Sequence, residues 1–240
     1  MILEIDAGNT RLKWRCRSAS TTAARVADSV SSISAELEGS RIERVHIASV
    51  RAPQFLEQLA AESEQAFAAE VTVARVSSQC SGLRINYADP SRLGVDRWLA
   101  MLAARALAPS ACLVVDCGTA LTLDRVSAEG VHEGGFILPG LALMRRSLEE
   151  NTRIRLDSSY VPGSIELGNS TDAAVYHGTL AAAVALIQAQ WSELNQASTP
   201  ARLVLTGGGA GELSRQLQAQ AAETVPDLVL DGLQYAFGSS

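Results

Sequence analysis

The 240-residue sequence lacks most of the features that settle a function class at once. It has no run of Lys and Arg: the formal net charge is −6 and the pI about 5.2. Phosphate-rich partners attract basic patches, so neither nucleic acid nor an anionic membrane surface is expected as a partner. No apolar run approaches the roughly 20 residues that cross a bilayer. The longest, LAAAVALI at 180–187, is short and Ala-rich and reads as a buried helix. No signal-peptide pattern precedes the first strand, since Met1 leads straight into apolar residues, and the expected location is the cytoplasm. The four cysteines, Cys16, Cys80, Cys112 and Cys117, form no C-x-x-C pair and have no neighbouring His. Neither a zinc site nor a disulfide framework is expected from them. Cys117 has no His–Asp pair placed to activate it and reads as a small filler rather than a nucleophile. The patterns G-x-x-x-x-G-K-[ST] and G-x-G-x-x-G are both missing, which excludes a P-loop and a dinucleotide-binding fold by motif.

With 47% hydrophobic and 19% charged residues, the chain has ample material for one large domain or two small ones. Strand-like apolar runs alternate with helical stretches. RVHIASV (44–50), EVTVARV (70–76), ACLVVDCG (111–118) and RLVLTGGG (202–209) read as strands. APQFLEQLAAESEQAF (52–67), with Pro53 in its first turn, reads as a helix. So do the stretch after Pro90, to residue 107, and AGELSRQLQAQAA. This alternation predicts an α/β fold. ALAPSA (106–111) is the best boundary, because the pattern restarts after it.

The restart carries the information. ILEIDAGNTRLKW and ACLVVDCGTALTL share one plan: an apolar strand, an Asp, one residue, a Gly, then Thr and more apolar residues. Asp6 and Asp116 stand 110 residues apart, near half the chain. We read this as an internal duplication, although strand–Asp–x–Gly is also a common turn. A carboxylate ending an apolar run is costly unless something uses it. Gly-rich turns suit phosphate oxygens, and a carboxylate beside a phosphate implies an intervening cation at Asp6 and Asp116. Lys13 is placed on the far arm of the first hairpin to reach a phosphate. A third turn, TGGGAGEL (206–213), reads either as a backbone surface lying against a nucleotide or as a tight βα turn. Three such turns on two duplicated halves resemble the actin, sugar-kinase and Hsp70 superfamily. That resemblance implies two ribonuclease-H-like domains, residues 1–110 and 111–240, with a nucleotide cleft between them, an arrangement in which the final helix can cross back.

The segment YADPSRLGVDRWLAM (87–101) narrows the class. A carboxylate and a guanidinium stand side by side, Asp96 and Arg97, after a Gly and among Leu93, Val95, Trp98 and Leu99. Such surroundings turn at least one of the two charges toward a cleft. The pattern Y-x-x-P-x-x-L-G-x-D-R resembles the pantothenate-binding segment of type III pantothenate kinases. Asp6 to Lys13 resembles that family's D-x-G-N-[ST]-x-x-K, and Asp116 to Thr119 its D-x-G-T. GGFILPG (134–140) and NSTDAAVYHGT (169–179) resemble two more of its motifs, in family order along nearly the whole chain. Residues 17–45 and 190–201 carry none of them.

The resemblance implies ATP-dependent phosphorylation of pantothenate, the first step toward coenzyme A, in a homodimer. It implies Asp96 as the base near the acceptor hydroxyl, and Tyr87, Gly94, Val95, Arg97 and Thr171 as further substrate contacts. Asp6, Ala7, Gly8, Asn9, Thr10, Arg11, Leu12, Lys13 and Thr119 are implied as the ATP site. Asp116 is implied as the ligand of a monovalent cation, K⁺ or NH₄⁺, with Mg²⁺ accompanying ATP. Asp96 has an ordinary alternative as the ion-pair partner of Arg97 alone. His132, after a Gly-containing turn, is expected at the surface, and His177 in a structural place or near a dimer interface. Arg145 and Arg146 sit on a stripe that reads as core, within reach of an anion or a subunit partner. Two other functions stay open: another kinase or phosphatase of the superfamily, and a non-catalytic ATP-binding regulator. The Y-x-x-P-x-x-L-G-x-D-R segment weighs against the first. The presence of both Asp6 and Asp96 weighs against the second.

Overall fold

A computed structural model describes residues 1–8, 11–18, 21–195, 201–217 and 222–238. In chain order the first part contains β1 (Ile2–Ala7), β2 (Leu12–Arg17), β3 (Arg25–Ala27), α1 (Val30–Glu36), β4 (Arg44–Ser49) and α2 (Pro53–Phe67). β5 (Glu70–Val73), the short strands β6 (Gln79–Cys80) and β7 (Leu83–Ile85), and α3 (Val95–Leu107) follow. The second part contains β8 (Cys112–Cys117), β9 (Ala120–Val126), β10 (Val131–Pro139), α4 (Leu141–Asn151) and α5 (Thr171–Leu194). It ends with β11 (Arg202–Thr206), α6 (Ala210–Gln216), β12 (Ala222–Thr224) and α7 (Leu228–Phe237). Two compact units result: Met1–Ala106 together with the stretch from Asp227 onward, and Leu107–Pro226.

The two units repeat one strand plan. In the first, the order is β3-β2-β1-β4-β5. β1, β2 and β3 pair antiparallel, while β1, β4 and β5 pair parallel. In the second, the order β10-β9-β8-β11-β12 has the same directions at every step. The registers match too. Asp6 lies opposite Lys13 and Ala48, and Asp116 opposite Thr122 and Thr206. The fold is therefore α/β with two duplicated ribonuclease-H-like units.

Local chemistry sets the elements. In β1 and β8 nearly every side chain is covered, as central strands require, so both read as unbroken apolar runs. Pro53 opens α2, where its missing N–H costs nothing, and the helix stops at Ala68 in the left-handed region. The Ser170 hydroxyl caps α5 by accepting from Ala173 N at 3.1 Å. Pro90–Arg92 forms a single 3₁₀ turn capped by Asp89, so the helix expected after Pro90 begins only at Val95.

One core lies under Leu3, Ile5, Trp14, Val45 and Ile47 of the first sheet, with Val30 and Ile33 of α1 and Leu59 of α2. The other joins Leu113, Val115, Leu121, Leu123, Leu203 and Leu205 to α5 and α6. Each fully buried aliphatic side chain stabilises its unit by roughly 1.5–3 kcal/mol.

The opposite face of the first sheet is polar. Glu4, Arg15 and His46 are all buried there, where α7 packs on β1 and β4. Arg15 Nε donates to Glu4 Oε2 at 2.7 Å and Nη1 to Asp231 Oδ1 at 2.6 Å, while Arg17 Nε donates to Glu4 Oε1 at 2.7 Å. Burial pulls the Arg15 pKa down, but the carboxylates of Glu4 and Asp231 more than compensate and leave it raised. Gly232 lets α7 lie directly on the backbone of Leu99 in α3; a Cβ there would overlap it.

Candidate active site

The first phosphate-type turn follows β1. Asp6 is the last residue but one of the strand, and the side chains of Ala7 and Leu12 are packed into the core at 0% and 3% exposure. Of the expected ATP contacts, those two therefore have only backbone to offer. Asn9 and Thr10 lie outside the described residues. Arg11 is exposed. Lys13 Nζ forms an ion pair of 2.8 Å with Asp227 Oδ1, just before α7. Sequence reasoning missed Asp227. A usable signal was present: Lys13, Arg15 and Arg17 alternate along one face of β2, and Asp227 and Asp231 are spaced by one helical turn.

The acceptor segment is assembled locally, at the start of α3. Asp96 sits in the first turn, and its Oδ1 accepts from Arg97 N at 2.8 Å. This folds the carboxylate back over Gly94, where a Cβ would lie only 2.5 Å from Asp96 Oδ1. The glycine is thus required by the carboxylate's position. Arg97 is buried, and its Nη1 donates to the Tyr87 hydroxyl at 3.1 Å. Tyr87, Gly94, Val95, Asp96 and Arg97 therefore form one connected group.

In the second unit, Asp116 is the last residue but one of β8, before an exposed Gly118–Thr119 turn closed by a bond from Gly118 N to Ala120 O at 3.0 Å. Glycines hold this turn. Gly140 N donates to Thr119 O at 2.8 Å, and a Cβ on Gly140 would overlap the Gly118 carbonyl. Gly207 has φ +85°, and a Cβ there would overlap Asp116 Oδ1. Gly209 N donates to Cys117 O at 2.9 Å, and a Cβ on Gly209 would overlap the Cys117 sulfur. Gly208 faces open space. Gly207 and Gly209 are thus explained by close packing on the strand end; only Gly208 has room in front of it. Burial, with the charge of Asp116, pushes the Cys117 thiol up to about 11, so it stays protonated at neutral pH and is no nucleophile.

Thr171 is the exposed first residue of α5. His177 is structural: it bonds the Tyr160 hydroxyl at 2.9 Å and the Glu166 carbonyl at 2.9 Å, tying the segment after α4 to α5. Arg145 ties helices together: its Nε donates to Thr179 Oγ1 at 3.1 Å, its Nη2 pairs with Glu212 Oε1 at 2.5 Å, and its guanidinium lies 4.3 Å over the Tyr176 ring. His132 corrects its expectation. The turn is there, with Gly130 at φ +80°, but His132 is fully buried, 2.8 Å from Asp124 Oδ1. Its strand position turns it inward, which a turn-based reading could not see.

The sequence profile of type III pantothenate kinases matches residues 2–193. The chain is 39% identical over 245 residues to a type III pantothenate kinase of Pseudomonas aeruginosa strain UCBPP-PA14, covering 98% of both sequences. It is 41% identical over 245 residues to one of Ectopseudomonas mendocina, again covering 98% of both. The chain belongs to the type III pantothenate kinase family. It is a kinase of the class to which its motifs pointed. Among solved structures it resembles a Campylobacter jejuni protein described as a Baf family transcriptional activator, with a TM-score of 0.65 at 19% identity, covering 98% and 96% of the two chains. It also resembles a ROK hexokinase from Thermus thermophilus, with a TM-score of 0.53 at 14% identity, covering 98% and 97%. At such identities these likenesses concern the fold alone.

Proposed function

We propose that the enzyme transfers the γ-phosphoryl group of ATP to the primary hydroxyl of pantothenate, giving ADP and 4′-phosphopantothenate at the entry to coenzyme A synthesis. The observation that carries this reading is the acceptor group: Gly94 gives Asp96 its place at the head of α3, beside the Arg97–Tyr87 pair. Phosphoryl transfer asks for positioned phosphates and an oriented alcohol rather than a covalent nucleophile. Asp96 takes the hydroxyl proton; Arg97, Tyr87, Thr171 and the backbone of Gly94 and Val95 orient pantothenate. Residues 6–13 and Thr119 hold the phosphates.

Mg²⁺ and a monovalent cation, K⁺ or NH₄⁺, belong to this reading. The donor chemistry at Asp116 fits a hard, weakly charged cation, because one carboxylate stands beside the exposed Gly118–Thr119 turn. Among the described residues no group of three or more His, Cys, Asp or Glu is gathered, which fits a divalent ion carried in on the phosphates. When bound, the cations neutralise phosphate charge. A homodimer in the cytoplasm completes the proposal; no described helix is long and apolar enough to cross a membrane.

ATP consumption measured with and without pantothenate tests it. Turnover is expected only with pantothenate and only with K⁺ or NH₄⁺ beside Mg²⁺, and Asp116→Asn should blunt the potassium dependence. Turnover without pantothenate would point to a phosphatase, and none under any condition to a non-catalytic regulator.

A further inference from the structure

We propose that Arg51 is a further catalytic residue, whose guanidinium holds the phosphoryl group in flight. The inference rests on the kinase reading above. Arg51 follows β4, in the place that the glycine turn occupies after β11. Its Nε donates to the Gly8 carbonyl, in the first phosphate-type turn, at 2.6 Å. Its guanidinium lies 4.2 Å over the Phe55 ring. The following Ala52 is extended before Pro53, which opens α2, so the backbone is restrained as well. The Nε bond and the ring fix the plane of the fork. Among the described residues, nothing takes a hydrogen bond from its two terminal nitrogens.

Arg51 lines a cavity of about 600 Å³ within the first unit. Arg51, Arg75 and Arg92 line it together with Gly94 and Val95 of the acceptor group, and among the described residues no carboxylate does. In a chain of net charge −6, that concentration of positive charge selects an anion. Arg75 and Arg92 are exposed, whereas Arg51 is half-buried and pinned to the phosphate turn. The cavity thus joins part of the acceptor segment to Arg51, whose Nε is bonded to the phosphate-type turn. In the transfer, the bond from the γ-phosphorus to the ADP oxygen breaks. A bond forms to the pantothenate hydroxyl oxygen, whose proton passes to Asp96. Arg51 keeps its own proton and donates two N–H groups to the phosphoryl oxygens, where charge is spread in the transition state. A planar fork suits those oxygens better than the point charge of a lysine.

Steady-state kinetics of Arg51→Gln and Arg51→Lys test the assignment. Arg51→Gln should lower kcat by about 10²- to 10³-fold with little change in the KM for pantothenate, and Arg51→Lys should recover part of it. A kcat for Arg51→Gln within about threefold of wild type, or a loss carried wholly by KM, overturns the assignment. A measurement on the wild-type protein keeps the test independent of how the variants fold. Phenylglyoxal should modify Arg51, as read by peptide mass spectrometry, and ATP should protect it where AMP does not. Absence of modification in the free protein, or equal protection by both nucleotides, overturns the proposal. If wild type shows no pantothenate-dependent turnover, the kinase reading falls, while the protection pattern still decides Arg51.

Discussion

The turn after β1 and the turn after β8 occupy matching places in the two units, and they are held by different means. After β8 the neighbouring segments come in as glycines, Gly140, Gly207 and Gly209, and lie against the turn's backbone and the Asp116 carboxylate. After β1 the neighbour is a side chain, Arg51 on the Gly8 carbonyl. The sheet faces differ in the same sense. Matching register positions place Glu4 against Val114 and His46 against Val204. Duplication fixed the strand plan. The first unit holds its turn with the Arg51 side chain and buries charges on its sheet face, while the second holds its turn with glycines whose fit depends on missing Cβ atoms.

The largest test of this division is Asp96→Asn. Asn keeps the size and one acceptor but takes no proton, so kcat should fall by about 10²- to 10⁴-fold, roughly 3–5 kcal/mol of barrier, with ATP binding nearly intact. If more than about a tenth of kcat remains, Asp96 is a structural partner of Arg97 and the proton leaves by another route.

Next comes the glycine clamp. Gly207→Ala adds a Cβ at positive φ against Asp116 Oδ1. It should cost about 3 kcal/mol in chemical denaturation. Gly208→Ala, with open space in front of it, should cost within about 0.5 kcal/mol. Equal costs would show that packing does not explain the run of glycines.

His46 tests the charged face. Burial first, then the charges of Arg17 and Arg44, push its pKa from 6.5 to about 4. It lies beside Glu4 and Thr72 in the sheet, with the Phe237 ring of α7 at 4.4 Å. Its Nδ1 is buried without a hydrogen-bond partner. Between those two pH values the unfolded chain binds a proton that the folded unit refuses. Stability should therefore fall as pH drops from about 6.5 to about 4, by up to about 3 kcal/mol, and this contribution should be flat above that window. His46→Val copies the second unit's residue and should flatten the profile there, as measured by denaturation at several pH values.

Effects smaller than those of Gly207 and His46 should come from the α7 ion pairs. Asp231→Asn weakens a mostly covered bond to Arg15 and should cost about 1–2 kcal/mol. Asp227→Asn acts on a more exposed pair and should cost less than about 1 kcal/mol. A double-mutant cycle with Lys13→Met would isolate the second pair's own contribution.

Much of this was legible in the chain. Apolar runs of strand length, separated by amphipathic stretches, gave the α/β class, because periodicity is a local property. Asp6 and Asp116 stood out because a carboxylate closing a buried strand is costly without a use. Gly94 next to Asp96 was visible as a pattern, and the structure supplies its cause. His132 was misread, and the packing of Gly207 and Gly209 went unseen, because strand register and the approach of distant segments are not local. Asp227, Arg51 and the buried charges beneath α7 went unseen for the same reason.

The amino-acid sequence by itself determined the alternation of elements, the duplicated strand–Asp–x–Gly plan and the residue types of the acceptor segment. Each is written within a dozen neighbouring residues. Tertiary structure alone decided that Lys13 meets Asp227, that Arg51 rests on Gly8, that glycines clamp Asp116, and that a C-terminal helix covers the first unit's charged face. Those partners lie tens to hundreds of residues apart, and only packing of the sheets and helices sets which side chains meet.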